Sequence, residues 1–238
     1  ATVDDFRRSM AFVPVGILLN AGYLVLWRVV PARIGRRSRS HLLAWTVLAT
    51  LGAWVVAAAT IMTVHDIVQP TVGSAIAAGC IAFATGVALG IAANRTPHPA
   101  PKGTHHVPAA VLAVRGVAAA FVIGGAILLS RSGLPVASGI ASVFPVIFTT
   151  IMVATWLAQG AHVPTGAVGP MALGTLSVSA YALLATLLFP LMPIWIAATV
   201  CWFVAIACVS VPAFLYLRAR RSQPRATATA TEAGGANR

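Results

Sequence analysis

Long apolar stretches, separated by short polar or proline-containing breaks, run along almost the whole chain. Lipid offers no hydrogen-bond partner to backbone amides, so a segment that crosses it is expected to be helical. Seven stretches reach the length of about 20 residues that a helix needs to cross a bilayer: 10–30, 42–63, 70–93, 107–130, 136–158, 166–189 and 191–217. The pattern predicts an all-α, polytopic membrane bundle with seven transmembrane helices.

Composition supports lipid as the solvent. Apolar residues make up 59% of the chain and charged residues only 8%, whereas a soluble domain carries about a quarter charged residues. The mean hydropathy is +0.90. We therefore assign residues 1–221 to one transmembrane domain and residues 222–238, which are low in apolar content, to a disordered cytoplasmic tail.

The formal charge of +12 would suggest nucleic acid on a soluble protein, but here the charges lie in loops and in the tail. With the N-terminus outside, three arginines (Arg7, Arg8 and Arg131) face outward. Twelve basic residues face the cytoplasm: Arg28, Arg33, Arg36, Arg37, Arg39, Arg95, Lys102, Arg218, Arg220, Arg221, Arg225 and Arg238. This bias predicts an outer N-terminus and a cytoplasmic C-terminus. It also predicts contacts between the cytoplasmic basic loops and anionic lipids, and no nucleic-acid partner.

The strong preference for arginine over lysine, together with abundant alanine, is typical of a GC-rich bacterial genome. We therefore expect a bacterial plasma membrane as the location.

Weak internal similarity suggests a repeat. Phe12-Val13-Pro14 resembles Val143-Phe144-Pro145, and Leu48-Ala49-Thr50-Leu51 resembles Leu173-Gly174-Thr175-Leu176. The third span of each group opens at a proline, Pro70 or Pro193. Residues 10–93 and 136–217 would then be parallel repeats joined by a connector helix at 107–130, a 3+1+3 plan. The identities are few and lie in low-complexity apolar sequence, so a chance match is an equal alternative.

The fifth span contains the most unusual local sequence. Pro145 lies inside the predicted span and should bend it, which frees a backbone carbonyl. Thr149 and Thr150 follow one turn later. Bent helices with freed backbone groups form substrate sites in transporters. The alternative is that both hydroxyls bond to their own helix and that the proline only shapes packing.

Other polar residues within the spans complete a candidate substrate-binding set. Thr175 and Ser179 are four residues apart and share a helix face, where they either line a cavity or hold helices together. Asn20 lies near the middle of the first span, where an amide needs partners. Arg115 lies inside the fourth span, where it either extends to the interface or faces an anion. We place Pro170, in contrast, in a first helical turn that tolerates it.

Groups suited to catalysis are scarce. The acids are Asp4, Asp5, Asp66 and Glu232, and none lies inside a span. We place His65-Asp66 in an outer loop. This single acid–base pair is the main feature that would favour an enzyme acting on lipid-linked substrates, and a solvated loop explains it more simply. The histidines and cysteines form no metal-ligand pattern. We expect no enzymatic activity, no metal and no cofactor.

These observations favour a small transporter or flippase for an uncharged, anionic or lipid-like substrate, not driven by an intramembrane carboxylate. The alternative is a non-catalytic subunit of a larger membrane complex, and a homo-oligomer is compatible with either. Four tryptophans near predicted helix ends are expected to form an interfacial belt: Trp27, Trp45, Trp156 and Trp195.

Overall fold

The computed structural model describes residues 2–34, 38–95, 109–131 and 144–222. No strand occurs among these residues. Nine α-helices and one π-helical segment occur in this part of the chain: α1 (Val3–Ile34), α2 (Arg39–Val68), α3 (Val72–Ala93), α4 (Ala109–Arg131), α5 (Val146–Gln159), α6 (His162–Gly174), α7 (Leu176–Leu188), α8 (Ile194–Ala205), the π-helix (Ile206–Ser210) and α9 (Val211–Ser222).

Five helical runs are long and apolar enough to cross a membrane: α1, α2, α3, the α6–α7 run (His162–Leu188) and the α8–π–α9 run (Ile194–Arg220). The predicted all-helical protein of membrane type is therefore confirmed, and the count of seven spans is not. α4 occupies the predicted fourth span, but several of its side chains lie outside the described residues. Of the predicted fifth span, residues 136–143 lie outside them too, and α5 has only 14 residues. That is about 21 Å of helix, too short to cross alone.

The predicted 3+1+3 repeat is not confirmed, and the predicted tail over residues 222–238 lies almost wholly outside the described residues. α1 packs most extensively against α3. In the predicted repeat, α5 corresponds to α1 and α8 corresponds to α3. The described residues show no contact between α5 and α8 comparable to that between α1 and α3.

Turn chemistry ends α2 where the sequence indicates a break. Gln69 adopts a left-handed conformation (φ 47°), and Pro70 follows it. The side chain of Thr71 then accepts a hydrogen bond from the backbone N–H of Ser74 and caps α3. The placement of His65 and Asp66 in a loop was wrong, because both belong to the last turn of α2.

Prolines interrupt the last two runs differently. Pro170 is the ninth residue of α6, not part of a first turn as expected, and α6 ends soon afterwards at Gly174. In the following run the backbone N–H of Val211 bonds to the carbonyl of Ile206, five residues back. Pro212 has no N–H to donate to the carbonyl four residues before it. The π-helix before Pro212 is where the chain departs from the regular α-helical hydrogen-bond pattern.

α1 lies at the centre of the bundle, against α2, α3, α6 and α7. Its close approach to α3 depends on small residues: a methyl group added at Gly79 would clash with the carbonyl oxygen of Ala11. Leucines of α6 and α7 cover two further glycines of α3, with Leu173 against Gly90 and Leu176 against Gly86. This is the small-residue packing typical of membrane helices.

Two arginines of α1 mark the ends of the bundle. Arg7 Nε donates to the carbonyl of Thr186 over 3.3 Å. Arg28 donates from Nε to the carbonyl of Thr165 (2.8 Å) and from Nη1 to that of Ala93 (2.6 Å). The two arginines are 21 residues apart on one helix, or about 31 Å, which matches the hydrocarbon thickness. We call these levels the Arg7 end and the Arg28 end.

Candidate functional site

α5 begins near the middle of the bundle. Trp54 of α2 donates from Nε1 to Asn20 Oδ1 of α1 over 2.9 Å, and its ring meets that of Phe144 edge-on at 5.1 Å between centroids. Asn20 lies about 20 Å along α1 from Arg7 and about 12 Å from Arg28. Phe144, which precedes the start of α5, is therefore close to the same mid-depth level.

From this level α5 runs toward the Arg28 end. Its residue Trp156 meets Trp27 of α1 edge-on, with ring centroids 6.0 Å apart. Trp27 is adjacent to Arg28 in sequence, so the second half of α5 lies in the outer half of the bundle at that end. α5, about 21 Å long, therefore begins within the bundle near the level of Asn20 and runs to the Arg28 end.

A chain of hydrogen bonds attaches the first turn of α5 to α1. Thr149 Oγ1 donates its single proton to the carbonyl of Pro145 over 2.6 Å. The 2.7 Å contact between Thr149 Oγ1 and the Tyr23 hydroxyl must therefore have Tyr23 as its donor. Tyr23 is three residues after Asn20 on the same face of α1. We call Asn20, Tyr23, Trp54, Phe144, Pro145 and Thr149 the mid-depth cluster.

Two backbone N–H groups at the start of α5 have no hydrogen bond within the described residues, and Val143, four residues before Ile147, lies outside them. Val146 N–H bonds to the carbonyl of Phe144, and Thr149 N–H to that of Pro145, but no hydrogen bond among the described residues uses the N–H groups of Ile147 and Phe148. Pro145, just before the first helical residue, supplies no side-chain cap. Free N–H groups of a first helical turn carry the positive end of the helix dipole. In hydrocarbon they favour a polar or anionic partner.

The structure brings three of the predicted site residues together. Asn20, Pro145 and Thr149 all belong to the mid-depth cluster. α5 starts directly after Pro145, and Phe144 and Pro145 are not helical. The predicted bend of the span at Pro145 stays a prediction, because residues 136–143 lie outside the described residues. A proline is well tolerated at a helix start, where its missing N–H has no intrahelical partner anyway.

The remaining predicted residues lie elsewhere or bond locally. The hydroxyls of Thr150 and Thr175 donate to carbonyls of their own turns, those of Ile147 and Ala172. Ser179 is fully buried on the face of α7 that carries Leu176 and packs on α3, and its hydroxyl has no partner among the described residues. Arg115 lies in α4, and its side chain is outside the described residues.

Sequence reasoning missed three residues of this region. Tyr23 and Trp54 lacked a recognisable motif, although the spacing of Tyr23 from Asn20 could have indicated a shared face. Arg28 was counted only as a charge at the end of a span, but it is half-buried and joins α1 to α3 and α6. Two tryptophans of the expected belt, Trp27 and Trp156, are fully buried in the core. An aromatic near a helix end does not distinguish a belt from a core position.

Candidate catalytic groups are few in the described part of the chain. His65 Nδ1 lies 3.6 Å from Asp66 Oδ1, and the His65 ring packs edge-on against Phe12 of α1. This places the pair at the Arg7 end, away from the mid-depth cluster. Within the described ranges no three His, Cys, Asp or Glu residues are grouped so as to hold a metal ion.

Comparisons with protein-family models, with curated proteins and with solved structures give no match to this chain. The interpretation of the mid-depth cluster therefore rests only on the distances and contacts described above.

Proposed function

We propose that the protein is a small multi-pass transporter or flippase for an uncharged, anionic or lipid-like substrate. The observation that carries this proposal is the start of α5 at mid-depth, beside the buried amide of Asn20. Helices that begin inside the membrane leave backbone groups for a substrate, and transporters use them at their binding sites.

The distribution of charge supports the chemical class of the substrate. Among the described residues, all three carboxylates lie at the Arg7 end: Asp4 and Asp5 near the start of α1, and Asp66 beside His65, which contacts Phe12. A carboxylate at mid-depth would be the usual carrier of a coupled proton or cation. The polar groups of the cluster are instead hydroxyl, amide and indole groups that hydrogen-bond to one another. A neutral or anionic polar group could exchange with one of these uncharged partners.

Spin labelling can measure the membrane depth at which α5 begins and the depth at which it ends. In a variant whose three cysteines are replaced, we would label Ile147→Cys and Leu157→Cys, both at exposed positions of α5. They are ten residues apart, about 15 Å of helix. We expect the label at 147 near the bilayer centre, reached by oxygen, and the label at 157 near the headgroups, reached by a polar nickel reagent. Equal depths would refute the start of α5 at mid-depth.

Transport is tested in two steps. Native mass spectrometry of the gently extracted protein should show the chain alone, or as a homo-oligomer, with a bound small molecule or lipid. Proteoliposomes containing phosphatidylglycerol with a fluorescent acyl chain then report flipping, because dithionite bleaches only the outer leaflet. We expect Thr149→Val to slow translocation of the molecule identified. The control is Thr199→Val, an exposed threonine whose hydroxyl bonds to its own helix.

The alternative role, a non-catalytic subunit of a larger membrane complex, is separated by the same first step. A second polypeptide at fixed stoichiometry in the mass spectrum, together with no translocation by the isolated chain, would replace transport as the proposal. A small molecule that binds wild type and Thr149→Val equally would also contradict a substrate role for the mid-depth cluster.

A further inference from the structure

Topology brings exposed arginines from separate helices to the Arg28 end. Arg33 is in the last turn of α1, and Arg95 directly follows α3, whose last residue contacts Arg28. The stacked rings of Phe6 and Phe189, 5.5 Å apart, put the α7–α8 turn at the Arg7 end. The 27-residue run from Ile194 to Arg220 then returns across the bundle, so Arg220 also lies at the Arg28 end.

These cations have no acidic neighbours in the described part of the chain. Arg33, Arg95 and Arg220 are exposed, and the ion pairs found among the described residues all involve Asp4, Asp5 or Asp66 at the opposite end. Like charges gathered on one surface repel one another unless anions from outside neutralise them. The Arg28 end is therefore a positively charged surface that attracts anions from outside the protein.

Depth identifies the source of that anion. Arg28 lies one hydrocarbon thickness from Arg7, so arginines just beyond it on α1 and α3 reach the level of lipid phosphates. Arg220 supports the same level, since its guanidinium lies over the ring of Tyr216, 5.6 Å from the centroid. The Tyr216 hydroxyl is itself buried, so only the arginine of this pair reaches outward. Arginine near a helix end extends to the headgroup level, where tyrosine is also enriched.

We propose that Arg33, Arg95 and Arg220 form a surface that binds the headgroups of anionic phospholipids in the adjacent leaflet. Each arginine near a charged membrane surface contributes about 1 kcal/mol of attraction, or roughly a fivefold change in affinity. Three arginines then give a preference of about 100-fold for an anionic over a zwitterionic lipid. This surface is independent of transport and would exist equally in an accessory subunit.

The test counts bound lipid by native mass spectrometry in a neutral detergent, with phosphatidylglycerol or phosphatidylcholine added. We expect tight, salt-sensitive binding of phosphatidylglycerol. R33Q/R95Q/R220Q should lower it about 100-fold, and each single variant about fivefold. The charge-preserving R33K/R95K/R220K and the opposite-end control R8Q should retain most of it. Tryptophan fluorescence melting without lipid reports whether each variant is folded, and the single variants serve if the triple variant is not.

Other results would overturn the proposal. Equal binding of phosphatidylglycerol and phosphatidylcholine would show that the headgroup charge is not recognised. Unchanged phosphatidylglycerol binding in all three glutamine variants would place the lipid elsewhere. Displacement of phosphatidylglycerol by millimolar inorganic phosphate would indicate a site for free phosphate instead of a lipid surface. Capture of an acidic soluble protein, with no lipid preference, would assign the surface to a protein partner.

Discussion

Replacing Gly79 with alanine should separate the two helices that pack most extensively. The added Cβ would clash with the backbone carbonyl oxygen of Ala11 and would also lie 3.0 Å from Leu183 Cδ2. A backbone oxygen cannot rotate away as a side chain can. For the new contact to reach an ordinary carbon–oxygen distance of about 3.3 Å, α1 and α3 must move apart by about 1 Å. A gap of that size removes a quarter to a half of each dispersion contact along the interface.

Overpacking of a core typically costs about 1–3 kcal/mol, and the extent of the α1–α3 interface places Gly79→Ala near 3 kcal/mol. For a protein of this size that lowers the melting temperature by roughly 6–12 °C. The measurement is tryptophan fluorescence on heating in detergent micelles. Gly73→Ala is the matched control on the same helix, because its Cβ would meet nothing nearer than Thr71 Oγ1 at 4.0 Å. If the two variants melt within about 1 °C of each other, α1 and α3 are not in backbone contact at Gly79.

Two further substitutions test the polar ties of α1, each by the same melting assay. Asn20→Ala leaves the indole N–H of Trp54 without its acceptor in the core, and we expect a loss of about 1–2 kcal/mol. Addition of Trp54→Phe should make the loss of Asn20 much smaller, and strictly additive effects would contradict the bond. Arg28→Gln removes charged hydrogen bonds to two helices and should cost about 1.5–3 kcal/mol. The exposed Arg33→Gln should stay within about 0.5 kcal/mol, and equal losses would show that Arg28 is only a surface charge.

The regular parts of the fold follow from the sequence because length and hydropathy alone dictate them. α2 covers the predicted span 42–63, α3 begins at Val72 and matches the span 70–93 from there to its end, and the break at Pro70 is present. Helix ends were harder: α1 extends to Val3 and includes the acids that precede its apolar stretch. There Arg7 and Arg8 pair with Asp4 and Asp5 one turn earlier. A hydropathy profile counts these four residues as polar and so does not predict that they extend the helix.

Sequence reasoning identified some residues of the candidate site but not their partners. An amide in a span needs partners, and this correctly singled out Asn20, but the partner Trp54 is 34 residues away and is chosen by packing. Pro145 was recognised as a disruption, yet whether a proline bends a helix or begins one depends on the chain before it. Hydroxyls carried little information, since most threonines in the described spans bond to their own helix.

α1 and α5 differ in the contacts that hold them in the bundle, and this difference indicates which of the two could move. Arginine side chains fix α1 to carbonyls of neighbouring helices at both ends, and four helices pack along it. α5 is joined to α1 by the Tyr23–Thr149 hydrogen bond and the Trp27–Trp156 ring contact, and it lies between non-helical residues, Pro145 at mid-depth and Gly160 with φ 89°. Hinges of this kind absorb the backbone change of a moving element. If the proposed transport occurs, α5 is therefore the helix expected to move, with α1 as the fixed reference.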